Sequence, residues 1–257
     1  MCTLAVYFRT FAAYPLVIAA NRDEFLARPT APPGLLDTAH GIFGGRDEER
    51  GGTWLAVNAR GVAAALLNRR TDAPPDPTRR SRGLLCLEAL KSESAESAAS
   101  WVREQKPELY NPFNLLVADG AHAWVATNHA GHLVVTALSP GLHLLTNLDI
   151  NDPTCPRIAA SYRLFANLGD ERRSPEDPDF PSRVQAILSR HDTTLDPRGS
   201  APGNSLCVHA GAYGTRSSSV VYQDAARAWT YLHCEEPPCR GTLRAQPVDA
   251  AIQREAS

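Results

Sequence analysis

The order of the short apolar segments along the 257-residue chain is the feature that most constrains its fold. Runs rich in strand-forming residues follow one another through turns, while helical segments are bunched between these groups. Strands joined by short turns pair antiparallel, whereas a parallel sheet needs strands that alternate with helices. The order therefore predicts an α+β protein in which helices cover two mainly antiparallel sheets. The chain has no internal repeat and no linker composition, which favours one domain over residues 1–240, followed by a mobile tail at 241–257.

The individual elements follow from residue spacing and from the turn residues between them. Strands are expected at 2–8, 16–20, 53–57, 62–67, 113–118, 122–127, 132–138, 142–147, 205–210, 217–223 and 228–233. Helices are expected at 82–91, 94–105, 155–168 and 181–190. Ser94 is a suitable N-cap for the second helix. The Pro- and Gly-rich segment 28–52 and the segment 71–79 are predicted to be loops.

Charge and hydropathy exclude several functional classes. A net charge of -2 and a pI near 6.4 argue against a nucleic-acid partner, which favours a strongly basic face. No stretch approaches the roughly 20 apolar residues that span a bilayer, so no transmembrane segment is expected. The start lacks the pattern of a signal peptide. We therefore expect a soluble, cytoplasmic protein, and the oligomeric state stays open.

The six cysteines are scattered along the chain without the regular spacing of a disulfide-rich protein, which favours reduced thiols over a disulfide framework. Cys234 and Cys239 lie close to His233 near a Pro-rich turn. Their spacing fits no common zinc pattern, so no metal site is predicted.

Cys2 has two readings. A small hydrophobe can begin a buried strand, and free Cys is among the most buried residue types. Alternatively, a Cys is small enough for the initiator Met1 to be trimmed, which would make Cys2 the N-terminal residue. Its α-amine, with a pKa of about 7.7–8.0, could then take the proton of its own thiol. One residue would supply both nucleophile and base.

Polar residues at the ends of apolar strands could complete such a thiol site. Arg22 or Arg216 could favour the thiolate, and Asp23 could orient the α-amine. The side-chain amides of Asn68 and Asn147 could donate to the oxyanion that forms when a thiolate attacks a carbonyl. Each of these residues also has a structural reading, as a turn former or as part of a solvated ion cluster.

Several sequence blocks occur in an order that is characteristic of one family. The blocks are Met-Cys-Thr-Leu-Ala-Val at 1–6, Ala-Ala-Asn-Arg-Asp-Glu-Phe at 19–25, Arg-Pro-Thr-Ala-Pro at 28–32, Gly-Arg-Asp at 45–47, Gly-Gly-Thr-Trp-Leu at 51–55 and Tyr-Gly-Thr-Arg-Ser-Ser at 213–218. Together they resemble the NRDE-motif family, also called the transport and Golgi organization protein two family, from residue 1 to about 223. The resemblance implies a four-layer αββα sandwich like that of N-terminal nucleophile hydrolases.

Within that superfamily the chain looks most like the cysteine branch that includes penicillin V acylases and bile-salt hydrolases. That branch has an Arg and an Asp shortly after the nucleophile, which Arg22 and Asp23 match. Two residues separate the pair in that branch, whereas the pair is adjacent here, so Glu24 is a further candidate for one role. The resemblance also implies Asn side chains at later strand ends and a distal Arg.

The leading hypothesis is a cofactor-free cysteine hydrolase that cleaves a linear amide or other acyl bond through a Cys2 thioester. Its predicted catalytic residues are Cys2, Arg22, Asp23, Asn68, Asn147 and Arg216, and its predicted substrate-binding residues are Asn21, Glu24, Trp54, Arg69 and Tyr213. The resemblance also implies an alternative, a non-catalytic intracellular carrier of haem or acyl-CoA that uses the same cleft. In that case Arg69 and its neighbours would meet propionates or phosphates, although these arginines equally fit a solvated loop.

Overall fold

The computed structural model describes residues 2–169, 174–191 and 205–253. Its strands, in chain order, are β1 (Thr3–Phe8), β2 (Leu16–Phe25), β3 (Thr30–Asp37), β4 (Ile42–Asp47), β5 (Leu55–Val57), β6 (Ala63–Asn68), β7 (Phe113–Ala118), β8 (Ala123–His129), β9 (His132–Ala137), β10 (Gly141–Leu145), β11 (His209–Ala210), β12 (Tyr213–Gln223), β13 (Trp229–Cys234) and β14 (Arg244–Gln246). Its helices are α1 (Arg82–Ala89), α2 (Ala95–Arg103), α3 (Pro156–Gly169), α4 (Phe180–Leu188) and α5 (Val248–Gln253). The predicted α+β class, with two mainly antiparallel sheets, is confirmed.

The chain divides into two compact units. The first unit contains the chain up to Arg28, Pro140–Tyr222 and Thr230–Gln246, and the second contains Pro29–Ser139, Gln223–Trp229 and the chain from Pro247. Within the described ranges, no helix has the length and apolar content needed to cross a membrane.

The sheet of the first unit has the order β10-β1-β2-β12-β13-β14, with β11 paired to β12. Strand β1 lies inside the sheet, next to the edge strand β10, and pairs antiparallel with β2 on one side and with β10 on the other. Helices α3 and α4 pack on one face, where Tyr7, Val17, Phe165 and Val184 belong to one apolar core. The Tyr7 hydroxyl donates to the Phe165 carbonyl at 2.7 Å, which satisfies the polar atom of this buried ring. This packing fixes the strands that carry the candidate site.

The sheet of the second unit is a continuous meander from β3 to β9. Helices α1 and α2 cover it around a core that includes Ala64, Leu85, Val102 and Leu115. The prediction that Ser94 caps α2 is confirmed, since its hydroxyl accepts from the Ser97 backbone at 3.1 Å.

The prediction of a loop over 28–52 is wrong, because β3 and β4 lie within it. A high content of Pro and Gly is typical of loops. Strand β3 is at the edge of its sheet, where a residue without a backbone N–H is tolerated. In addition, its pairing with β4 shifts register between Ala31 and Gly34, which places Pro32 and Pro33 in an irregular stretch.

Strand β2 is longer than predicted and ends at Phe25 instead of residue 20. The Asn-Arg-Asp-Glu segment therefore lies inside the strand, and Asn21, Arg22 and Asp23 are buried there. The strand predicted over 205–210 is confined to His209–Ala210. The predicted tail from residue 241 contains β14 and α5, while its mobility and the one-domain organisation stay predictions.

Candidate active site around Cys2

Cys2 lies directly before β1 and beside Arg22 of β2. The register of these strands pairs Thr3 with Asn21. Continued by one residue, it places Cys2 opposite Arg22. Residues directly opposite each other share a face of the sheet, with Cβ atoms about 4.5–5.5 Å apart. The thiol and the guanidinium group therefore start from neighbouring positions on one face.

Asn147 lies at the same end of the sheet as Cys2. The pairing of β1 with β10 ends at Leu4 and Leu145, and Asn147 follows two residues later in a bend. Asn147 is 7% exposed. A side-chain amide and a guanidinium group at the end of the sheet that carries a thiol are the donor and the cation that acyl transfer uses.

Burial and neighbouring charges change the pKa of the Cys2 thiol in opposite directions. Cys2 as a residue is partly exposed, but its sulfur is desolvated, and this desolvation raises the pKa of the thiol. The negative charge of Asp23 also raises that pKa, whereas the positive charge of Arg22 lowers it. The Cys2 Sγ donates to the Asp23 carbonyl at 3.7 Å. The thiol is thus the main form here, and a further positive charge or base is needed to generate the thiolate.

Arg22 is 7% exposed and lies near His233 of β13. Burial of His233, together with the positive charge of Arg22, lowers the pKa of its imidazole to about 4. The His233 Nδ1 is hydrogen-bonded to the Ser219 hydroxyl at 2.9 Å. His233 is therefore neutral at pH 7, so that Arg22 carries the positive charge on this part of the sheet.

The Asp23 carboxylate is fully buried and is held on both oxygens. Arg157 of α3 donates from Nη1 to Oδ2 at 3.1 Å, and the Thr215 hydroxyl donates to Oδ1 at 2.6 Å. The same Arg157 nitrogen donates to the Thr3 hydroxyl at 2.9 Å. The Asp23 and Arg157 side chains are 0% and 3% exposed. This ion pair joins α3 to β1, β2 and β12 next to Cys2.

Sequence reasoning missed Arg157, although a signal for it was present. The buried residues of α3 include Arg157, Ser161, Phe165 and Leu168, spaced by four, four and three positions. These spacings place all four on one face of a helix. A charged residue on the apolar face of an amphipathic helix requires a buried partner, and Asp23 provides it.

Tyr213 is connected to the thiol through a shared acceptor. Its hydroxyl donates to the Asp23 backbone carbonyl at 3.1 Å, the same carbonyl that accepts from the Cys2 Sγ. Desolvation raises the pKa of Tyr213, as do the neighbouring charges of Cys2 and Asp23. Tyr213 therefore stays a neutral hydrogen-bond donor over the physiological range.

Asn21 and Glu24, predicted to bind substrate, have local partners. The Asn21 amide nitrogen donates to the carbonyls of Leu188 and Leu206, each at 2.8 Å. Glu24 accepts from the Phe25 backbone N–H at 2.8 Å. These contacts fix the end of β2, and a contact of either residue with substrate stays a prediction.

Arg216 also secures the end of β2. Its Nη1 donates to the carbonyl of Leu26, and the Leu26 N–H donates to the Ala212 carbonyl at 2.8 Å. The guanidinium group thus ties β12 to the residues that follow β2. Its predicted influence on the Cys2 sulfur is a separate matter and stays a prediction.

The remaining predicted residues belong to the second unit. Asn68 is the exposed last residue of β6 and pairs with Phe113 of β7. Arg69 donates from Nη1 to the Asn114 side-chain oxygen at 3.4 Å. The Trp54 carbonyl accepts from Leu66 at 2.8 Å. The catalytic role of Asn68 and the substrate contacts of Arg69 and Trp54 stay predictions.

Comparison with known proteins settles the family. The family model described as Transport and Golgi organisation 2 matches residues 1–235. The chain belongs to this family. Among its curated relatives, the Transport and Golgi organization protein 2 homolog of Bos taurus is 30% identical over 234 residues, covering 83% of each chain. The homolog of Homo sapiens is 29% identical with the same coverage.

Solved structures with the same fold include three amide or acyl hydrolases. An N-acylethanolamine-hydrolyzing acid amidase ortholog of Caenorhabditis elegans has a TM-score of 0.59 at 15% identity, covering 85% of this chain and 92% of its own. Penicillin V acylase from Agrobacterium tumefaciens has a TM-score of 0.51 at 15% identity, with coverages of 91% and 83%. The C2A mutant of conjugated bile acid hydrolase from Clostridium perfringens has a TM-score of 0.51 at 12% identity and covers 96% of both chains. The expected N-terminal nucleophile hydrolase-like fold is confirmed.

Proposed function

We propose that this protein is a cysteine hydrolase of the N-terminal nucleophile type that cleaves a linear amide or other acyl bond. One observation carries the proposal: Cys2 precedes β1 next to Arg22 and the buried Asp23 of β2, at the end of the sheet where Asn147 follows β10. Burial of three polar or charged residues, Arg22, Asp23 and Asn147, at one end of a sheet costs stability and is typical of functional sites.

The reaction begins after removal of Met1, which frees the α-amine of Cys2. The amine takes the thiol proton, directly or through one water, and the thiolate attacks the acyl carbon of the substrate. Asn147 and a backbone N–H donate to the resulting oxyanion. Collapse of this intermediate breaks the C–N bond, and the leaving amine takes the proton from the α-ammonium group. Water then attacks the thioester, which releases the acid and returns a proton to the sulfur.

Arg22 and Asp23 set the conditions for the first step. Since burial raises the pKa of the Cys2 thiol, the positive charges of Arg22 and of the protonated α-amine are needed to stabilise the thiolate. Asp23 holds the α-amine. Arg157 and Thr215 donate to the two oxygens of its carboxylate, which fixes the position of this acceptor beside Cys2. Arg157 and Thr215 are positioning residues that keep this carboxylate in place.

The proposal is tested by hydrolysis of a panel of linear N-acyl amides with purified protein. Cys2→Ala and Cys2→Ser should both lose measurable turnover, because the thiolate forms the covalent intermediate. Cys234→Ser is the matched control, since this thiol donates to the Glu236 carbonyl at 3.2 Å and a hydroxyl can do the same. Full activity in Cys2→Ala would refute the mechanism.

A second candidate is a non-catalytic carrier of haem or acyl-CoA. The observation that favours it is the raised pKa of the Cys2 thiol, which makes a poor nucleophile unless Met1 is removed. A carrier predicts a Soret shift with haem, or thermal stabilisation by acyl-CoA, that persists in Cys2→Ala. Loss of both signals in Cys2→Ala would contradict it. The cytoplasmic location stays a prediction under either function.

A further inference from the structure

Four side chains with metal-ligating atoms converge in the first unit, apart from the thiol site. His191 follows α4, Cys207 precedes β11, His209 begins β11 and Cys239 lies in the turn after β13. One ligand atom from each lies within 4.8 Å of every other. The Cys207 side chain is buried, and the other three residues are exposed. Three separate segments of the chain therefore present two thiols and two imidazoles to one point.

The distances among three of these atoms match the edges of a tetrahedral zinc site. Bonds of about 2.3 Å to sulfur and about 2.0–2.1 Å to nitrogen, at tetrahedral angles, separate two sulfurs by about 3.8 Å and sulfur from nitrogen by about 3.6 Å. The Cys207 and Cys239 sulfurs are 3.6 Å apart. The Nε2 of His209 is 3.7 Å from the Cys207 sulfur and 3.3 Å from the Cys239 sulfur.

His191 is oriented to supply the fourth ligand. Its Nδ1 is 2.9 Å from the Cys207 carbonyl oxygen. Because a carbonyl oxygen only accepts, Nδ1 carries the proton, and the lone pair of the neutral ring is on Nε2. A ligating imidazole held by a backbone carbonyl through its other nitrogen is a common feature of protein metal sites. The centroids of the His191 and His209 rings are 5.1 Å apart.

We propose that His191, Cys207, His209 and Cys239 bind a structural Zn²⁺ ion. Two thiolates and two neutral imidazoles suit this borderline-soft cation, and the two thiolates balance its charge. The two thiol protons pass to solvent as the metal binds. Four protein ligands leave no open position for substrate or water, which is the pattern of structural rather than catalytic zinc.

The ion would cross-link elements that support Asp23. The Cys207 N–H donates to the Arg190 carbonyl at 2.9 Å, which joins the chain before His191 to the chain before β11. The N–H of Val208 donates to the Thr215 hydroxyl at 2.8 Å, and that hydroxyl donates to Asp23. Zinc at this position therefore stabilises the frame of the candidate active site without taking part in its chemistry.

Sequence reasoning considered Cys239 with Cys234 and His233, and the structure gives Cys234 and His233 other partners. The Cys234 thiol donates to the Glu236 carbonyl, and the His233 Nδ1 is hydrogen-bonded to Ser219. The ligands that the fold gathers are spread from residue 191 to residue 239. Only the Cys-x-His spacing of 207–209 was a local signal.

The test is metal content and cobalt spectroscopy of the full chain. Protein purified with Zn²⁺ and a reductant, then freed of excess metal, should retain one equivalent by elemental analysis. Replacement by Co²⁺ should give a thiolate-to-cobalt charge-transfer band and the intense visible bands of tetrahedral coordination. Cys207→Ser and Cys239→Ser should weaken Zn²⁺ binding at least about 100-fold. Cys234→Ser is the matched control and should bind Zn²⁺ like the parent protein.

Three results would overturn the proposal. These are the absence of stoichiometric metal, unchanged Zn²⁺ affinity in Cys239→Ser, and a Cys207–Cys239 disulfide that forms under reducing conditions in place of metal binding. Should Cys207→Ser fail to fold, Cys239→Ser decides the matter, because Cys239 is exposed. Since none of these measurements depends on turnover, failure of the zinc proposal leaves the proposed hydrolase function untouched.

Discussion

Substitution of Arg157 tests whether the buried ion pair is the structural support of the Cys2 site. In Arg157→Met, the Asp23 carboxylate loses the Arg157 guanidinium group and keeps the Thr215 hydroxyl. Removal of one partner of a buried pair typically costs about 3–5 kcal/mol, because the other charge stays buried without compensation. For a domain of this size, that loss corresponds to a Tm lower by roughly 6–20 °C.

The assay is urea unfolding followed by circular dichroism, with each variant measured in the same buffer. Arg163→Met is the matched control, since Arg163 lies on the same helix but is exposed. It should change the free energy of unfolding by less than about 0.5 kcal/mol. The double variant Asp23→Leu with Arg157→Met should recover most of the lost stability, because apolar replacement of a whole buried pair is often neutral.

The double variant should nevertheless be inactive, since it lacks the carboxylate proposed to hold the α-amine. A loss in Arg157→Met no larger than that in Arg163→Met would refute the reasoning. The reasoning would also be refuted if Asp23→Leu lowered the free energy of unfolding as much in the Arg157→Met background as in the parent protein.

Three further outcomes are expected. The folded-state pKa of His233, about 4, lies below its unfolded value of about 6.5, so the neutral imidazole contributes roughly 2–4 kcal/mol to the free energy of unfolding, fully above pH 6.5 and progressively less as the pH falls to about 4. In His233→Gln, the urea midpoint should therefore depend less on pH over this range, and a pH dependence like that of the parent protein would contradict the lowered pKa of His233. Asn147→Leu should lower kcat for amide hydrolysis about 100-fold, through loss of an oxyanion donor worth on the order of 3 kcal/mol; a wild-type kcat would remove Asn147 from the mechanism. Ser94→Ala should lower the free energy of unfolding by about 1 kcal/mol, because α2 loses its N-cap hydrogen bond. An unchanged free energy would show that this cap does not contribute to stability.

The strand and helix pattern could be predicted from the sequence because local spacing carries it. The run 113–118, for example, is apolar apart from Asn114 and is bounded by turn residues, so the sequence predicts both its burial and its ends. The segment 28–52 was misread, since the tolerance of Pro32 and Pro33 depends on an edge position that only the assembled sheet reveals.

The candidate site was only partly predictable, because its parts are set by different kinds of information. Cys2 precedes β1 and Asn147 follows β10, at strand ends where sequence reasoning looked for them, whereas Arg22 lies inside β2. Arg157 is inside a helix, and its role depends on the packing of α3 against the sheet. The cluster of His191, Cys207, His209 and Cys239 depends on contacts between distant segments, of which local spacing encodes only the 207–209 pair.

The central claim is that Cys2 acts as an N-terminal nucleophile, and intact-mass analysis with peptide mapping tests it most directly. The protein is measured as purified and again after rapid quenching with an activated acyl amide. The account predicts a chain that lacks Met1 and carries one acyl group on Cys2, removable by hydroxylamine as expected for a thioester. A chain that retains Met1, and whose Cys2 stays unmodified while the amide is hydrolysed, would contradict it.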